Sequence, residues 1–217
     1  MKNKIKNIHF IGIGGSGMSG IAEVMHNLKF NVQGSDLGKS EAIRHLKKIG
    51  IKVFSKHLEK NIKNMDVLVI SAAISDQNPE VKAANKQKIP IIPRAEMLSE
   101  LMRFKKGVAV AGTHGKTTTT SLIATILSEG NLDPTYVIGG RLNSMNANAK
   151  LGDSDLMIVE ADESDASFLH LNPVSAIITN IDNDHLGTYQ NNFEKLKQTY
   201  IDFAHQVPFY GPIFLCA

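Results

Sequence analysis

The sequence predicts an α/β fold built as two nucleotide-type units in tandem. Three observations carry this. Short apolar runs alternate with helical patterns along the chain; a glycine loop follows the first apolar run; and a second glycine loop follows another apolar run 100 residues further on. Such alternation is what a parallel sheet with crossover helices requires. The restart halfway along the chain points to two sheets and not to one longer sheet.

The first strand is Ile8-His9-Phe10-Ile11, which feeds the loop Gly12–Gly17. Met18, Ile21, Ala22 and Met25 then recur at i, i+3, i+4, i+7, the spacing of one helix face. A second strand ends near Gly34-Ser35-Asp36, a third lies around Lys52-Val53-Phe54, and a fourth is Val67–Ile70. Pro79 opens a helix, at a first-turn position where its missing N–H does no harm. Ile91-Ile92 makes a fifth strand before a helix around Glu96 to Met102. The boundary is expected at Arg103–Gly107, which sets domains at residues 1–106 and 107–217. The second domain opens with strand Val108–Ala111, a glycine loop, and a helix from about Lys116 to Glu129. Later strands are Leu156–Val159, Ala176–Ile178 and Ile213–Leu215, with a helix marked by Phe193, Leu196, Tyr200 and Ala204. The chain stops just after a strand, without the helix expected to cover it, which reads as a truncation.

Composition narrows the function. No apolar run approaches the roughly 20 residues needed to cross a bilayer, and the basic N-terminus leads into a strand and not a secretion signal. The single cysteine, Cys216, excludes a disulfide framework and predicts a reducing, cytoplasmic setting. Without tryptophan or aromatic-basic interleaving, the sequence shows no nucleic-acid module. The net charge of +3 hides an asymmetry: residues 1–106 carry 19 basic against 9 acidic residues, residues 107–217 carry 5 against 12. That split fits an anionic ligand in the first half and carboxylates gathered around a metal in the second, although scattered lysines on solvated faces would produce the same sum.

The loop Gly12-Ile13-Gly14-Gly15-Ser16-Gly17 matches G-x-G-x-x-G between a strand and a helix. Glycines let the backbone approach a pyrophosphate, whose charge the helix N-terminus stabilises. Asp36 lies 19 residues after Gly17, where its carboxylate can accept a hydrogen bond from a ribose hydroxyl. The motif by itself does not separate UDP from NAD or FAD, and a tight turn without a ligand would use the same glycines. In Gly112-Thr113-His114-Gly115-Lys116-Thr117 the G-K-T core has a defined logic. Backbone amides cradle phosphates, Lys116 reaches the β/γ oxygens, and the Thr117 hydroxyl ligates Mg²⁺. The general P-loop pattern wants glycine six positions before the lysine, and Val110 stands there. His114 reads as a phosphate-side or structural group and not as a catalytic base.

Strand Leu156–Val159 delivers Glu160 to its C-terminal end, where ligands of parallel sheets gather, and Asp162, Glu163 and Asp165 follow. One or two such carboxylates suffice for Mg²⁺, which takes its other oxygens from substrate phosphates and water. Asp165 reads better as part of a solvated loop. Asn180–His185 follows the next strand in the same way. From spacing alone His185 is equally a ligand or an ordinary surface histidine.

With both loops, the acidic strand end and the Asn–Asp–His segment in place, the chain resembles the Mur ligase family over nearly its whole length. The residues that carry the resemblance are His9–Gly20, Gly34-Ser35-Asp36, Arg94–Leu98, Gly112–Thr118, Glu160–Asp165, Asn180–His185 and Pro208–Gly211. The family's loop also lacks the early glycine, so Val110 is no departure from it. The resemblance implies a Rossmann-like parallel-sheet N-terminal domain followed by the first part of a P-loop ATPase-type α/β central domain. It implies that Gly12, Gly14, Gly15, Ser16, Gly17 and Asp36 bind the UDP part of UDP-N-acetylmuramate. It implies that Gly112, Thr113, His114, Gly115, Lys116, Thr117 and Thr118 hold ATP. Thr117, Glu160 and His185 match metal-holding positions, with Lys116, Glu160 and His185 as the catalytic set.

The implied activity is ATP-dependent ligation of L-alanine to UDP-N-acetylmuramate through an acyl phosphate, a step of peptidoglycan precursor synthesis. A relative that ligates a preformed peptide would share this front half, and a non-catalytic UDP-sugar-binding module is a further alternative. A nicotinamide-dependent oxidoreductase leaves the second loop unexplained. Gly187 stands where the family usually has an acidic residue. The family's longer central domain and its amino-acid-binding third domain have no counterpart in these 217 residues, so the chain alone is expected to have little or no ligase activity.

Overall fold

The computed structural model describes residues 5–71, 73–142, 147–164, 166–184 and 186–216. The chain forms two compact units, residues 1–97 and 98–217. The division falls inside a helix, a few residues before the segment Arg103–Gly107.

The first unit contains β1 (Asn7–Ile11), α1 (Ser16–Asn27), β2 (Asn31–Ser35), α2 (Glu41–Lys48), β3 (Lys52–Phe54), β4 (Val67–Ile70), α3 (Pro79–Gln87), β5 (Ile91–Pro93) and the start of α4 (Arg94–Met102). Its sheet runs in the order β3-β2-β1-β4-β5, and every pair is parallel. β1 is central, and Ile8, Phe10 and Ile11 are fully buried because both faces of such a sheet are covered. Met18, Ile21, Ala22 and Met25 of α1 are all buried, as their helical spacing predicts. A second cluster joins Ile11 and Leu68 to Ile62, Val81 and Ala84. Helix α2 leaves little signal in the sequence. Only Ile43 and Leu46 are buried among its eight residues, and its start is set by Ser40, whose hydroxyl accepts from the Ile43 amide.

The second unit holds the end of α4, then β6 (Lys106–Ala111), α5 (Lys116–Glu129), β7 (Thr135–Leu142), β8 (Ala147–Lys150), β9 (Leu156–Glu160), β10 (Ser175–Ile178), α6 (Phe193–Ala204) and β11 (Ile213–Leu215). The sheet order is β11-β10-β6-β9-β7-β8, parallel except for the antiparallel β7–β8 pair. That pair is absent from the sequence reading, because Gly139-Gly140 interrupt the apolar run and look like a loop. Val110, Ala124, Tyr136, Ile138 and Ile158 form the core beneath α5. A separate aromatic stack sets Phe168 edge-on to Tyr200 at 5.3 Å and parallel to Phe203 at 4.8 Å. The start of β6 is pinned by Lys105, whose ammonium donates to the Gly152 and Ser154 carbonyls at 2.7 and 2.5 Å. Among the described residues no helix is long and apolar enough to cross a membrane.

Candidate nucleotide-binding sites

Each unit places a glycine loop at the C-terminal end of its central strand. Helices α2, α3 and α6 are capped by the side chains of Ser40, Asn78 and Asn192. Helices α1 and α5 instead have glycine at the cap, Gly15 and Gly115, with no side-chain acceptor. Helix geometry leaves first-turn amides without intrahelical partners, so these two ends present donors to whatever lies in the loop.

In the first unit the loop is anchored on the end of β2. The Gly12 and Ile13 amides donate to the Ser35 carbonyl at 2.8 and 3.2 Å, and the Gly15 amide turns back to the Gly12 carbonyl at 3.2 Å. Asp36, expected to face a ribose, accepts from the Gly14 amide at 2.8 Å and from the Gly38 amide at 2.7 Å. It is therefore also a brace of the loop itself. A Cβ at Gly14 would stand 2.7 Å from Ile43 and 2.9 Å from the Asp36 carboxylate, so any other residue would have to displace one of them. Gly17 leaves room for Arg94, whose guanidinium a Cβ would meet at 2.7 Å. Ser16 is the first residue of α1.

In the second unit the loop is clamped from β10. The Thr113 amide donates to the Asn180 carbonyl at 3.1 Å, and the His114 amide to Asn180 Oδ1 at 2.9 Å. The His114 carbonyl accepts from Thr179 Oγ1 at 2.6 Å and Asn180 Nδ2 at 2.9 Å. Gly112 has a φ of +134°, and a Cβ there would lie 2.0 Å from Thr179 Oγ1. Only glycine fits. Val110 is fully buried in β6, so its place in the pattern belongs to the core strand and not to the loop. His114 is exposed, with Nε2 3.6 Å from Asp182.

The chemistry converges at the start of α5. Lys116 Nζ donates to the Gly112 and Thr113 carbonyls at 2.7 and 3.1 Å, and lies 2.9 Å from both carboxylate oxygens of Glu163. Thr117 Oγ1 donates to Glu160 Oε1 at 2.9 Å. Glu160 ends β9 directly beside Val110, and its Oε2 accepts from the Gly139 amide at 2.7 Å. Thr118 is exposed in the first turn of α5. A hydroxyl and a carboxylate meeting at a helix N-terminus are hard oxygen donors of the kind Mg²⁺ takes, its remaining positions going to phosphate oxygens and water. Among the described residues no three His, Cys, Asp or Glu side chains cluster as a ready-made metal cage.

Sequence spacing singled out Glu160, and the structure sets it against Thr117. It left Glu163 as one of a run of acids, whereas Glu163 is buried and faces Lys116. Burial pushes the Glu163 carboxyl up, with Lys116 opposing. Burial, then the charge of Glu163, pushes the Tyr200 phenol up as well. Gly139 was also missed. A Cβ there would stand 3.2 Å from the Glu160 carboxylate, so the signal was a glycine inside a strand. Asn180 carries no signal of its own in the sequence beyond its place after a strand, and it is the clamp of the loop. His185 and Asp165 lie outside the described residues.

Two tandem α/β units with phosphate-type loops, the second carrying Lys-Thr opposite a strand-end glutamate, match known proteins along the chain. Residues 7–106 match the Mur ligase family, catalytic domain, and residues 110–216 match the Mur ligase middle domain. The chain belongs to the Mur ligase family. It is 61% identical over 216 residues to the UDP-N-acetylmuramate–L-alanine ligase of Janthinobacterium sp. (strain Marseille), and 58% identical to that of Neisseria meningitidis serogroup C. All of this chain aligns with 46% of either relative, so it spans about half the length of the curated proteins it matches. The crystal structure of UDP-N-acetylmuramate-alanine ligase from Thermotoga maritima superposes with a TM-score of 0.85 at 34% identity, covering 93% of this chain and 47% of that one. A ligase from Neisseria meningitidis that joins L-alanyl-γ-D-glutamyl-meso-diaminopimelate to UDP-N-acetylmuramate gives 0.88 at 28% identity, covering 97% and 71%.

Proposed function

We propose that this chain carries the UDP-substrate and ATP-binding parts of a ligase joining L-alanine to UDP-N-acetylmuramate. Residues 1–106 take the UDP part of the substrate at Gly12–Gly17 and Asp36. Residues 107–217 take ATP at Gly112–Thr118. The observation that carries the reading is the start of α5, where Thr117 meets Glu160 and Lys116 meets Glu163. Identities of 61% to a curated L-alanine ligase and 34% to a solved one, against 28% to the solved peptide ligase, favour the single amino acid as second substrate.

In this reading the lactyl carboxylate of the sugar nucleotide attacks the γ-phosphorus of ATP. The bond to the β-γ bridging oxygen breaks, giving an acyl phosphate and ADP. The amine of L-alanine then attacks the acyl carbon, phosphate leaves, and the amine loses a proton as the amide forms. ATP is needed because a carboxylate oxygen is a poor leaving group until it is phosphorylated. Positioning and charge neutralisation do most of the first step. Loop amides orient the phosphates, and Lys116 offsets the charge on the β/γ oxygens. Thr117 and Glu160, with His185 by its place in the family motif, would hold Mg²⁺, which neutralises phosphate oxygens when bound.

Calorimetric titration of the 217-residue chain with UDP-N-acetylmuramate, ATP–Mg²⁺ and NAD tests the reading. Separate binding of the first two ligands is expected. A heat of binding with NAD and none with UDP-N-acetylmuramate would overturn it.

A further inference from the structure

Behind the first glycine loop lies a buried polar cluster that the proposed reaction does not use. Glu80, in the first turn of α3, is fully buried, as are His9 and Ser35, and Asn61 is nearly so. The Glu80 carboxylate accepts from Ser35 Oγ at 2.5 Å, Asn61 Nδ2 at 2.6 Å and the Leu58 amide at 3.4 Å. His57 Nδ1 stands 3.2 Å from it and His9 Nε2 3.4 Å. Gln33 Nε2 can only donate, so its 3.2 Å contact with His9 Nδ1 puts the histidine proton on Nε2, facing Glu80. Serine, histidine and glutamate side by side invite a reading as a hydrolytic triad. The geometry rejects it: the Ser35 hydroxyl is buried and already gives its proton to the carboxylate, so no substrate atom can reach it.

We infer that Glu80 is a positioning residue for the first glycine loop, acting through Ser35. The inference rests on the proposed binding of the UDP moiety at that loop. Ser35 accepts the Gly12 and Ile13 amides on its carbonyl, and its neighbour Asp36 accepts the Gly14 amide. Three consecutive loop amides therefore take their place from Ser35–Asp36. Ser35 is itself fixed by a carboxylate 45 residues away on another element. Burial pushes the Glu80 carboxyl up, but hydrogen bonds from His9, Ser35 and Asn61 outweigh it and hold it down at about 2. An acceptor-only group is what so many converging donors require. Glutamine has the same shape yet turns an NH₂ toward those donors, so Glu80→Gln disturbs the anchor without opening a cavity.

The test measures UDP-N-acetylmuramate affinity in the full 217-residue chain for Glu80→Gln, Ser35→Ala and the double variant. Each single change is expected to weaken binding about tenfold, the size of one lost buried hydrogen bond to a charged group. The double variant should be no weaker than either single one, while ATP–Mg²⁺ affinity stays unchanged. A purely structural role would not give that non-additivity in ligand affinity. Because Ser35→Ala removes only a hydroxyl, it keeps the test open should Glu80→Gln fold poorly. Single variants binding within twofold of wild type, or effects that multiply in the double variant, would overturn the inference. Amide hydrogen exchange separates it from the substrate assignment. Faster exchange at Gly12 and Ile13 in Glu80→Gln supports positioning even in a chain that ignores the sugar nucleotide, and unchanged exchange refutes it even in a chain that binds.

Discussion

The two units back their glycine loops with buried glutamates of opposite character. Glu80 in the first unit meets a hydroxyl, a side-chain amide, a backbone amide and two imidazoles, and its carboxyl is held at about 2. Glu163 in the second meets one ammonium, Lys116, and burial wins, pushing its carboxyl up. The number of donors decides the outcome, because each hydrogen bond to a carboxylate offsets part of the cost of removing its charge from water. The loops themselves divide in the same way. The first is a frame of amides braced by neutral and acidic groups. The second carries its own cation, Lys116, which suits the phosphoryl transfer proposed for it.

The largest difference between the units is expected at their glycines. Gly112→Ala should destabilise the second unit by about 3–4 kcal/mol, from an unfavourable φ plus overlap with Thr179. Gly17→Ala in the first unit meets only the flexible Arg94 side chain and should cost under about 1 kcal/mol. All four tyrosines (Tyr136, Tyr189, Tyr200, Tyr210) lie beyond residue 107, so urea unfolding followed by tyrosine emission reads the second unit directly. Equal midpoint shifts for the two variants in circular dichroism would contradict the packing described.

Acid titration sharpens the contrast between the carboxylates. The folded value of Glu80 lies below its ordinary 4.5, so its contribution is complete above pH 4.5 and is lost as pH falls toward 2. The wild-type advantage over Glu80→Gln in urea melts should be on the order of 3 kcal/mol at pH 7 and shrink toward zero near pH 2. Glu163 acts with the opposite sign: its raised folded value makes its contribution fall as pH rises above 4.5. An advantage of wild type that is independent of pH would show that Glu80 is not held ionised.

Ligand binding supplies the next largest effect. Lys116→Ala should weaken ATP–Mg²⁺ binding about 100-fold, the loss of charge-assisted contacts to phosphate, and leave UDP-N-acetylmuramate affinity as it was. The same variant strands Glu163 without its ammonium, so its loss in midpoint should be larger at pH 8 than at pH 5, where the carboxyl can take a proton. Undiminished ATP affinity would remove the second loop from the proposal. The smallest effect is expected at His114, which is exposed and 3.6 Å from its acidic neighbour: His114→Ala should change stability by less than about 0.5 kcal/mol in thermal melts.

Much of this architecture was legible because it is local. The bounds of β3, β4, β11, α5 and α6 follow from apolar runs, caps and periodicity within a few residues of each element. Both loops were legible for the same reason, since a glycine loop between a strand and a helix is a pattern of fixed short spacing. The β7–β8 pair was not, because glycines that make room for Glu160 look like a turn when read alone. Among the acids after β9, spacing could not tell which would face Thr117 and which Lys116.

Taken alone, the sequence determined two α/β units with largely parallel sheets, their order, and a glycine loop after the first strand of each. Tertiary structure decided which carboxylate serves which loop: Glu160 beside Thr117, Glu163 beside Lys116, and Glu80 behind Ser35. These partners stand 43, 47 and 45 residues apart in the chain. No local pattern encodes such a meeting. It arises only when parallel strands bring their C-terminal ends side by side, and burial there turns a surface acid into a specific electrostatic partner.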